Sequence, residues 1–198
     1  MNDYFKVGIL IFDDVEVLDF TGPYEVFNVV RYEGQGHDIE EGTPFSVNLV
    51  AENKEQVRCR YGLMVTPDED INQGTRYDII VVPGGLGARK ELHNKKILDW
   101  IKNQHETTKL TTSVCTGALL LASAGLLEGK RATTHHNGFD RLENEFKGIT
   151  VVKDEKYVDE GDIITSGGIS AGIDMSLFVV EKLMGKGYSQ TARSYMEY

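Results

Sequence analysis

The sequence contains few cysteines and few prolines. Its 198 residues include four prolines and two cysteines, Cys59 and Cys115, which lie 56 positions apart (59 to 115). This spacing fits neither a disulfide framework nor a pair of zinc ligands. We therefore expect two free thiols in a reducing compartment, no bound metal ion and no cofactor.

Long apolar runs and targeting signals are also missing from the sequence. The sequence has no run of about 18 apolar residues, which is the length needed to span a bilayer. The apolar residues near the start have no charged region before them and no small-residue cleavage site after them. These features predict a soluble, cytoplasmic protein that does not bind membranes.

Basic side chains are outnumbered, with 21 Lys and Arg against 31 Asp and Glu, for a net charge of -10. No block of like charges marks a tail, and the acidic balance argues against nucleic acid and anionic lipid as partners. The length suits a single domain, 1–198, with a substantial core.

Apolar and polar residues alternate in segments that predict a succession of strands and helices. Because strands alternate with helices of ten or more residues, we expect an α/β sandwich with a mostly parallel central sheet and helices on both faces. Pro23 suits the first position of a helix. The polar, glycine-rich segment 34–44 is expected to be a mobile loop. The predicted strands are 6–12, 45–51, 56–60, 62–65, 78–82, 109–114, 130–134, 149–152, 156–159 and 162–166, and the predicted helices are 23–31, 89–106, one ending near 124, 137–146 and 171–185.

Three predicted strands are followed by residues that could form a site, since ligands in such sheets bind beyond the carboxyl ends of the strands. The 109–114 strand leads to Cys115 and a Thr-Gly pair at the start of a helix. A sulfur near a helix N-terminus is favoured as thiolate, which would make it a nucleophile. The alternative is a small buried side chain that closes the turn.

The other two strand ends supply a carboxyl and a glycine-rich turn. Asp19 stands among apolar residues and could move a proton, or it could instead cap a helix. The turn Pro83-Gly84-Gly85 could aim backbone N–H groups at an oxyanion, although such turns are common for steric reasons alone.

The remaining candidates carry weaker signals. His135 and His136 could add an imidazole at the same rim, although most histidines are ordinary surface or packed residues. Cys59 lies in a charged segment with no glycine turn after it, and we interpret it as structural.

Four blocks of sequence, in order along nearly the whole chain, resemble the ThiJ/PfpI superfamily, and most of all its isocyanide hydratase branch. The resemblance implies a flavodoxin-like three-layer α/β sandwich related to class I glutamine amidotransferases, usually a homodimer, with a reactive cysteine at a nucleophile elbow. The blocks are 17-VLDFTGPYEVF-27, 78-DIIVVPGGLGA-88, 112-TSVCTGALLLASAGLLEGKRATTHH-136 and 164-ITSGGISAGIDMSLFVVEKL-183.

The resemblance also implies the roles of individual residues. Cys115 matches the nucleophile, Asp19 matches the acidic residue that faces it, and Thr116 follows the cysteine as in isocyanide hydratases. The backbone N–H groups of Gly85 and Thr116 match oxyanion-hole positions. His135 matches a histidine that several branches share.

Two positions separate the branches of the superfamily. Peptidases have a histidine where this chain has Thr116, and the deglycase and chaperone-like branch has a glutamate where it has Asp19. The family's ATTHW is ATTHH here, so His136 replaces an aromatic residue near the pocket. Similar blocks occur in the sensor domains of AraC-type regulators, and we expect this chain to be a free-standing relative of them.

The implied reaction is attack by Cys115 on a small-molecule isocyanide, with Asp19 moving the proton and water releasing a formamide. The pKa of Cys115 is then expected to be depressed, so that the thiol oxidises readily. A sensor or stress-protective role without catalysis, and glyoxalase or deglycase chemistry, remain as alternatives.

Overall fold

The computed structural model describes residues 4–32 and 43–198. A central sheet of seven strands has the order β10-β11-β7-β6-β1-β2-β5, and its strands pair in parallel except for β10. The sheet strands are β1 Phe5–Leu10, β2 Phe45–Ala51, β5 Glu69–Asp70, β6 Ile79–Val82, β7 Leu110–Ser113, β10 Tyr157–Asp159 and β11 Ile163–Ser166.

Helices cover both faces of this sheet. The connection from β1 to β2 runs in one direction along the sheet and that from β6 to β7 in the other, so right-handed crossovers place their helices on opposite faces. The group on one face comprises α1 Val17–Val29, α6 Ala171–Met184 and α7 Lys186–Met196, which pack together, and the other comprises α2 Ala88–Glu91, α3 Lys95–His105 and α4 Gly117–Ser123. This is the predicted three-layer, flavodoxin-like α/β sandwich.

In the part of the chain that the structure describes, two strand pairs lie outside the central sheet. The hairpin β3 Val57–Arg58 and β4 Met64–Val65 is joined by a turn of 3-10 helix, Arg60–Gly62. The parallel pair β8 Arg131–Ala132 and β9 Thr150–Val151 is connected through α5 Phe139–Glu145.

The core lies between the sheet and the two helical layers. The strands β1, β6 and β7 are buried over nearly their whole length, as expected of parallel strands covered on both faces. Ile80, Val81, Leu120 and Leu121 are all fully buried. The site described below therefore sits on a rigid frame.

The predicted elements differ from the structure at particular helices. The helix predicted as 23–31 begins at Val17, with Pro23 inside it, because Phe20, Gly22 and Pro23 pack into the core despite the weak helix preference of glycine and proline. The helix predicted as 89–106 is two helices, because the Asn94 side chain caps α3 by accepting a 3.2 Å hydrogen bond from the Lys96 N–H.

The structure also differs from the prediction after α6 and in the sheet. The last helix was predicted to end at 185, but Gly185 turns the chain with φ of 100° and α7 follows. The short strand β5 was also missed. Most of the loop predicted at 34–44 lies outside the described residues. Among those that are described, no helix has the length and apolar character needed to cross a membrane.

Candidate active site

Cys115 lies at a tight corner between β7 and α4. Its φ of 57° is in the left-handed region that side chains other than glycine rarely adopt. The corner is held by three hydrogen bonds: Cys115 N–H donates to Gly167 O (2.9 Å), Val114 N–H to Val82 O (3.0 Å) and the Thr134 hydroxyl to Cys115 O (2.7 Å). This arrangement has the geometry expected of a nucleophile elbow.

Two glycines allow the end of β6 and the turn after it to pack closely against this corner. A Cβ at Gly84 would collide with Thr116 N and Oγ1, and one at Gly117 would collide with Val82 O. The turn after β6 therefore needs glycine at position 84 because of the close backbone approach. The steric interpretation of the Pro-Gly-Gly turn is correct for Gly84.

Asp19 reaches the same point from the first turn of α1. Its side chain is fully buried, and Oδ2 accepts a 3.0 Å hydrogen bond from Gly84 N–H. Oδ1 receives no hydrogen bond of good geometry from the described residues. Burial raises the pKa of this carboxyl to about 7, against the opposing effect of the Gly84 N–H. Asp19 is thus a carboxyl that gains or loses its proton near neutral pH.

The Cys115 thiol lies beside this carboxyl, and each of the two groups shifts the pKa of the other. Cys115 is 6% exposed. Burial, and then the negative charge of Asp19, raise the pKa of Cys115 to about 12, although the backbone N–H groups of Thr116 and Ile169 act in the other direction. The predicted depression of this pKa is therefore wrong, since burial outweighs the short helix α4.

The two N–H groups predicted as an oxyanion hole are already engaged. Gly85 N–H donates to Thr116 Oγ1 at 3.0 Å, and Thr116 N–H interacts with the Cys115 sulfur. The Thr116 hydroxyl therefore fixes the loop after β6 against the elbow. The oxyanion-hole role of Gly85 and Thr116 stays a prediction.

Ile169 contacts the site but was not among the residues predicted from the sequence. It lies between β11 and α6 with φ of 45°, and its backbone N–H interacts with the Cys115 sulfur. A positive φ at a β-branched residue carries no sequence signal, because the conformation is imposed by contacts between distant segments. The preceding Gly167-Gly168 pair was the only local indication of a turn.

The two histidines are neighbours, but only His135 lines the cavity next to Cys115. His135 is half-buried at the site, and burial and its neighbour His136 lower its pKa. Its Nδ1 accepts a hydrogen bond from Asn137 N–H at 3.2 Å. His136 is exposed, and its ring lies against that of His135 with centroids 4.0 Å apart and an angle of 34° between the ring planes. His136 thus supports the ring of His135 from the solvent side.

Cys115 opens onto a cavity of about 550 Å³. This volume is in the range of sites for small molecules. Three of the five non-glycine residues with positive φ in the described ranges line it, namely Tyr61, Cys115 and Ile169. The other described lining residues are Glu16, Arg60, Gly85, Leu86, Ala88, Arg89, Leu92, Thr116, Leu119, His135, Asn137, Gly138 and Arg141.

Outside this cavity, the remaining candidates in the described ranges are the second cysteine and a metal site. Cys59 is fully buried in the turn after β3, where burial raises its pKa. This placement agrees with a structural thiol. In residues 4–32 and 43–198, no three His, Cys, Asp or Glu side chains form a group able to hold a metal ion.

The site thus combines a buried cysteine at an elbow with a buried carboxyl from the first helix. The DJ-1/PfpI family model matches residues 5–182. The chain belongs to the DJ-1/PfpI family. The resemblance predicted from the four sequence blocks is confirmed at the level of family and fold.

Individual DJ-1/PfpI relatives are similar over most of their length. An isonitrile hydratase of Pseudomonas putida is 37% identical over 193 residues, covering 98% of this chain and 78% of that protein. The Parkinson disease protein 7 homolog of Danio rerio is 31% identical over 140 residues, covering 67% and 71%. The crystal structure of a ThiJ/PfpI family protein from Pseudomonas syringae superposes with a TM-score of 0.86 at 25% identity, covering 98% and 75%.

Proposed function

We propose that this protein hydrates isocyanides to N-substituted formamides, with Cys115 as nucleophile and Asp19 as proton carrier. The observation that carries the proposal is the buried pairing of the Cys115 thiol with a carboxyl whose pKa is about 7. A general acid or base works best when its pKa lies near the working pH. The 37% identity to an isonitrile hydratase, isonitrile being another word for isocyanide, supports the same reaction.

The first step forms a covalent intermediate. The ionised Asp19 carboxylate takes the thiol proton as the Cys115 sulfur bonds to the terminal carbon of R–N≡C. Asp19 then gives that proton to the same carbon, which yields the thioimidate R–N=CH–S–Cys115. The Asp19 carboxylate is regenerated, so the proton passes from sulfur to carbon with no change in net charge.

The second step uses water to release the product. As the oxygen of a water molecule bonds to the thioimidate carbon, Asp19 takes one proton from that water and passes it to the nitrogen, which gives R–NH–CH(OH)–S–Cys115. Asp19 next moves the hydroxyl proton to the departing sulfur. The carbon–sulfur bond then breaks, the thiol is restored and R–NH–CHO leaves. Splitting the hydration into two steps through a covalent intermediate is the usual benefit of nucleophilic catalysis.

Thr116 and Ile169 hold the sulfur in place during both steps. Their backbone N–H groups interact with it and oppose the rise in its pKa, so they stabilise negative charge that develops there. The Thr116 hydroxyl, bound by Gly85 N–H, keeps these groups in register with the loop after β6.

The proposal is tested by incubating purified protein with a simple isocyanide and following formamide by mass spectrometry. We expect turnover by the wild type, its loss in Cys115→Ala and its retention in Cys59→Ala, which removes the other thiol. A wild type without turnover, or a Cys115→Ala variant that keeps it, would overturn the proposal.

The alternatives can be tested on the same preparation. Lactate formation from methylglyoxal would favour glyoxalase chemistry. Reversible peroxide oxidation of Cys115 without isocyanide turnover would favour a sensor. The raised pKa of Cys115 argues against ready oxidation, because thiolate reacts with peroxide and thiol does not.

We also propose that the protein is a cytoplasmic homodimer that acts on small molecules and binds neither nucleic acid nor membrane. The chain mass is 22.1 kDa. Light scattering of the purified protein should therefore give twice this value, and a mass equal to that of one chain would contradict the dimer.

A further inference from the structure

The wall of the Cys115 cavity is positively charged, although the chain as a whole is acidic. Among the described residues, three arginines line the cavity, Arg60, Arg89 and Arg141, together with one carboxylate, Glu16. The whole chain has 31 acidic and 21 basic side chains. The composition alone would favour an acidic wall, so the excess of arginine is local to this cavity.

The three arginines differ in how they are engaged. Arg60 Nε lies 3.5 Å from Glu16 Oε2, and its guanidinium stacks on the Tyr61 ring at 5.1 Å. Arg141 Nε donates to Glu145 Oε2 at 2.7 Å. Arg89 is exposed and forms no ion pair with any residue in the described ranges. Its guanidinium is therefore available to a ligand in the cavity.

The rest of the wall is largely apolar. Leu86, Leu92, Leu119 and Ile169 line the cavity with Cys115 and Arg89. A ligand that fits this cavity has a compact apolar body, one end that reaches the sulfur and an anionic end that reaches a guanidinium. Carboxylates match the planar fork of a guanidinium, which can donate two parallel hydrogen bonds.

We propose that this cavity selects isocyanides whose R group carries a carboxylate, and that Arg89 binds that carboxylate while Cys115 reacts with the terminal carbon. The substrate class rests on the isocyanide chemistry proposed above. Arg60 and Arg141 add to the positive potential of the wall but are held by Glu16 and Glu145.

The test compares two probes of the same shape, 4-isocyanobenzoate and 4-isocyanobenzamide. We expect wild-type kcat/KM to be at least about fivefold higher for the carboxylate, the value of a modest charge-assisted contact. Arg89→Gln should remove this preference. Lys90→Gln is the matched control, because it removes a charge from the next residue of α2, which is exposed and lies outside the cavity wall.

Equal kcat/KM for both probes in the wild type would overturn the inference, as would a preference that survives in Arg89→Gln or one lost equally in Lys90→Gln. If the protein nevertheless turned over both isocyanides rapidly, the proposed isocyanide hydration would be supported and only the inference about the carboxylate would fail. Melting temperatures of the two variants should match that of the wild type, because both side chains are exposed.

A binding measurement separates the two proposals. The formamides 4-formamidobenzoate and 4-formamidobenzamide are titrated calorimetrically into Cys115→Ser protein, with and without Arg89→Gln. Tighter binding of the benzoate that depends on Arg89 would support the anionic subsite even if no isocyanide were turned over. Equal affinity for both formamides would overturn it.

Discussion

The backbone N–H of Gly84 donates a 3.0 Å hydrogen bond to Oδ2 of Asp19, across 65 positions of sequence. This bond joins the turn after β6 to the first turn of α1 and directs the carboxyl toward the elbow. It also favours the ionised carboxyl, but less than burial disfavours it, so the pKa is about 7. Several properties of the protein should depend on this balance.

Asp19→Asn should make the protein more stable at alkaline pH. The pKa of Asp19 rises from 3.8 to about 7 on folding, so the native state favours the protonated carboxyl. The stability associated with that proton is complete below pH 3.8 and is lost as the pH rises through 7. Asparagine keeps the shape without the charge, and the gain at pH 8.5 should be at most about 4 kcal/mol.

The measurement is denaturant unfolding of both proteins at pH 5 and pH 8.5. The difference in free energy of unfolding should grow between the two pH values for Asp19→Asn. The control Asp154→Asn, at an exposed aspartate, should show no such growth. A constant difference for Asp19→Asn would mean that its pKa is not raised.

Asp19→Asn should also make the Cys115 thiol more acidic and slow the proposed isocyanide hydration. Removing the negative charge of Asp19 removes the second-largest cause of the raised pKa of Cys115. Alkylation of Cys115 should then reach half its maximal rate at a lower pH than in the wild type, while isocyanide turnover falls about 100-fold or more for want of a proton carrier. Faster alkylation together with unchanged turnover would contradict the role of Asp19.

Turnover by the wild type should rise with pH through about 7. The reactive state holds one proton between Asp19 and Cys115, and below that pH the pair holds two. The profile of kcat/KM against pH should therefore have an ascending limb near 7, which Asp19→Asn should lose. A flat profile from pH 5 to 9 in the wild type would count against the shared proton.

Gly84→Ala should disrupt the elbow, whereas Gly187→Ala should not. A Cβ at position 84 meets backbone and side-chain atoms of Thr116, which cannot move without shifting Cys115. We expect a loss of at least about 2 kcal/mol in unfolding free energy and a matching loss of activity. Gly187 lies in α7 with open space around it, so alanine there should stabilise by up to about 1 kcal/mol. Thermal melts measure the change in stability of each variant, and the isocyanide assay measures the loss of activity in Gly84→Ala.

His135 should be neutral at pH 7 with its proton on Nε2. Its pKa is lowered by burial and by His136, and Nδ1 already accepts the Asn137 N–H. Nitrogen-15 NMR of labelled protein distinguishes the two tautomers directly. A proton on Nδ1, or a pKa above that of free histidine, would contradict the hydrogen bond between Asn137 and His135. His136→Ala should raise the pKa of His135, because it removes one of the two causes that lower it.

Some of the site could be predicted from sequence because it follows from local rules. Cys115 and the Pro83-Gly84-Gly85 turn directly follow the ends of two buried strands. The carboxyl ends of parallel strands meet at one edge of a sheet. The strands β1, β6 and β7 and the three-layer arrangement were correctly predicted for the same reason.

The parts that were missed depend on distant contacts. Pro23 favoured a later start for α1, but packing of Phe20 and Gly22 against the core overrides the local preference. The positive φ of Ile169 and the burial of the Cys115 sulfur arise where β7, β11 and α6 meet. No window of sequence contains those contacts, so neither Ile169 nor the raised pKa of Cys115 could be predicted.

The three positive φ angles around the cavity have a consequence for the chain as a whole. Tyr61, Cys115 and Ile169 each hold a left-handed backbone at a cost of about 1 kcal/mol. Glycine at these positions would relax the backbone, but it would remove the proposed nucleophile and two side chains from the cavity wall. Resistance to unfolding and chemical competence are therefore opposed at these positions. Variants selected only for heat tolerance should tend to lose the site first, while the sheet beneath it is retained.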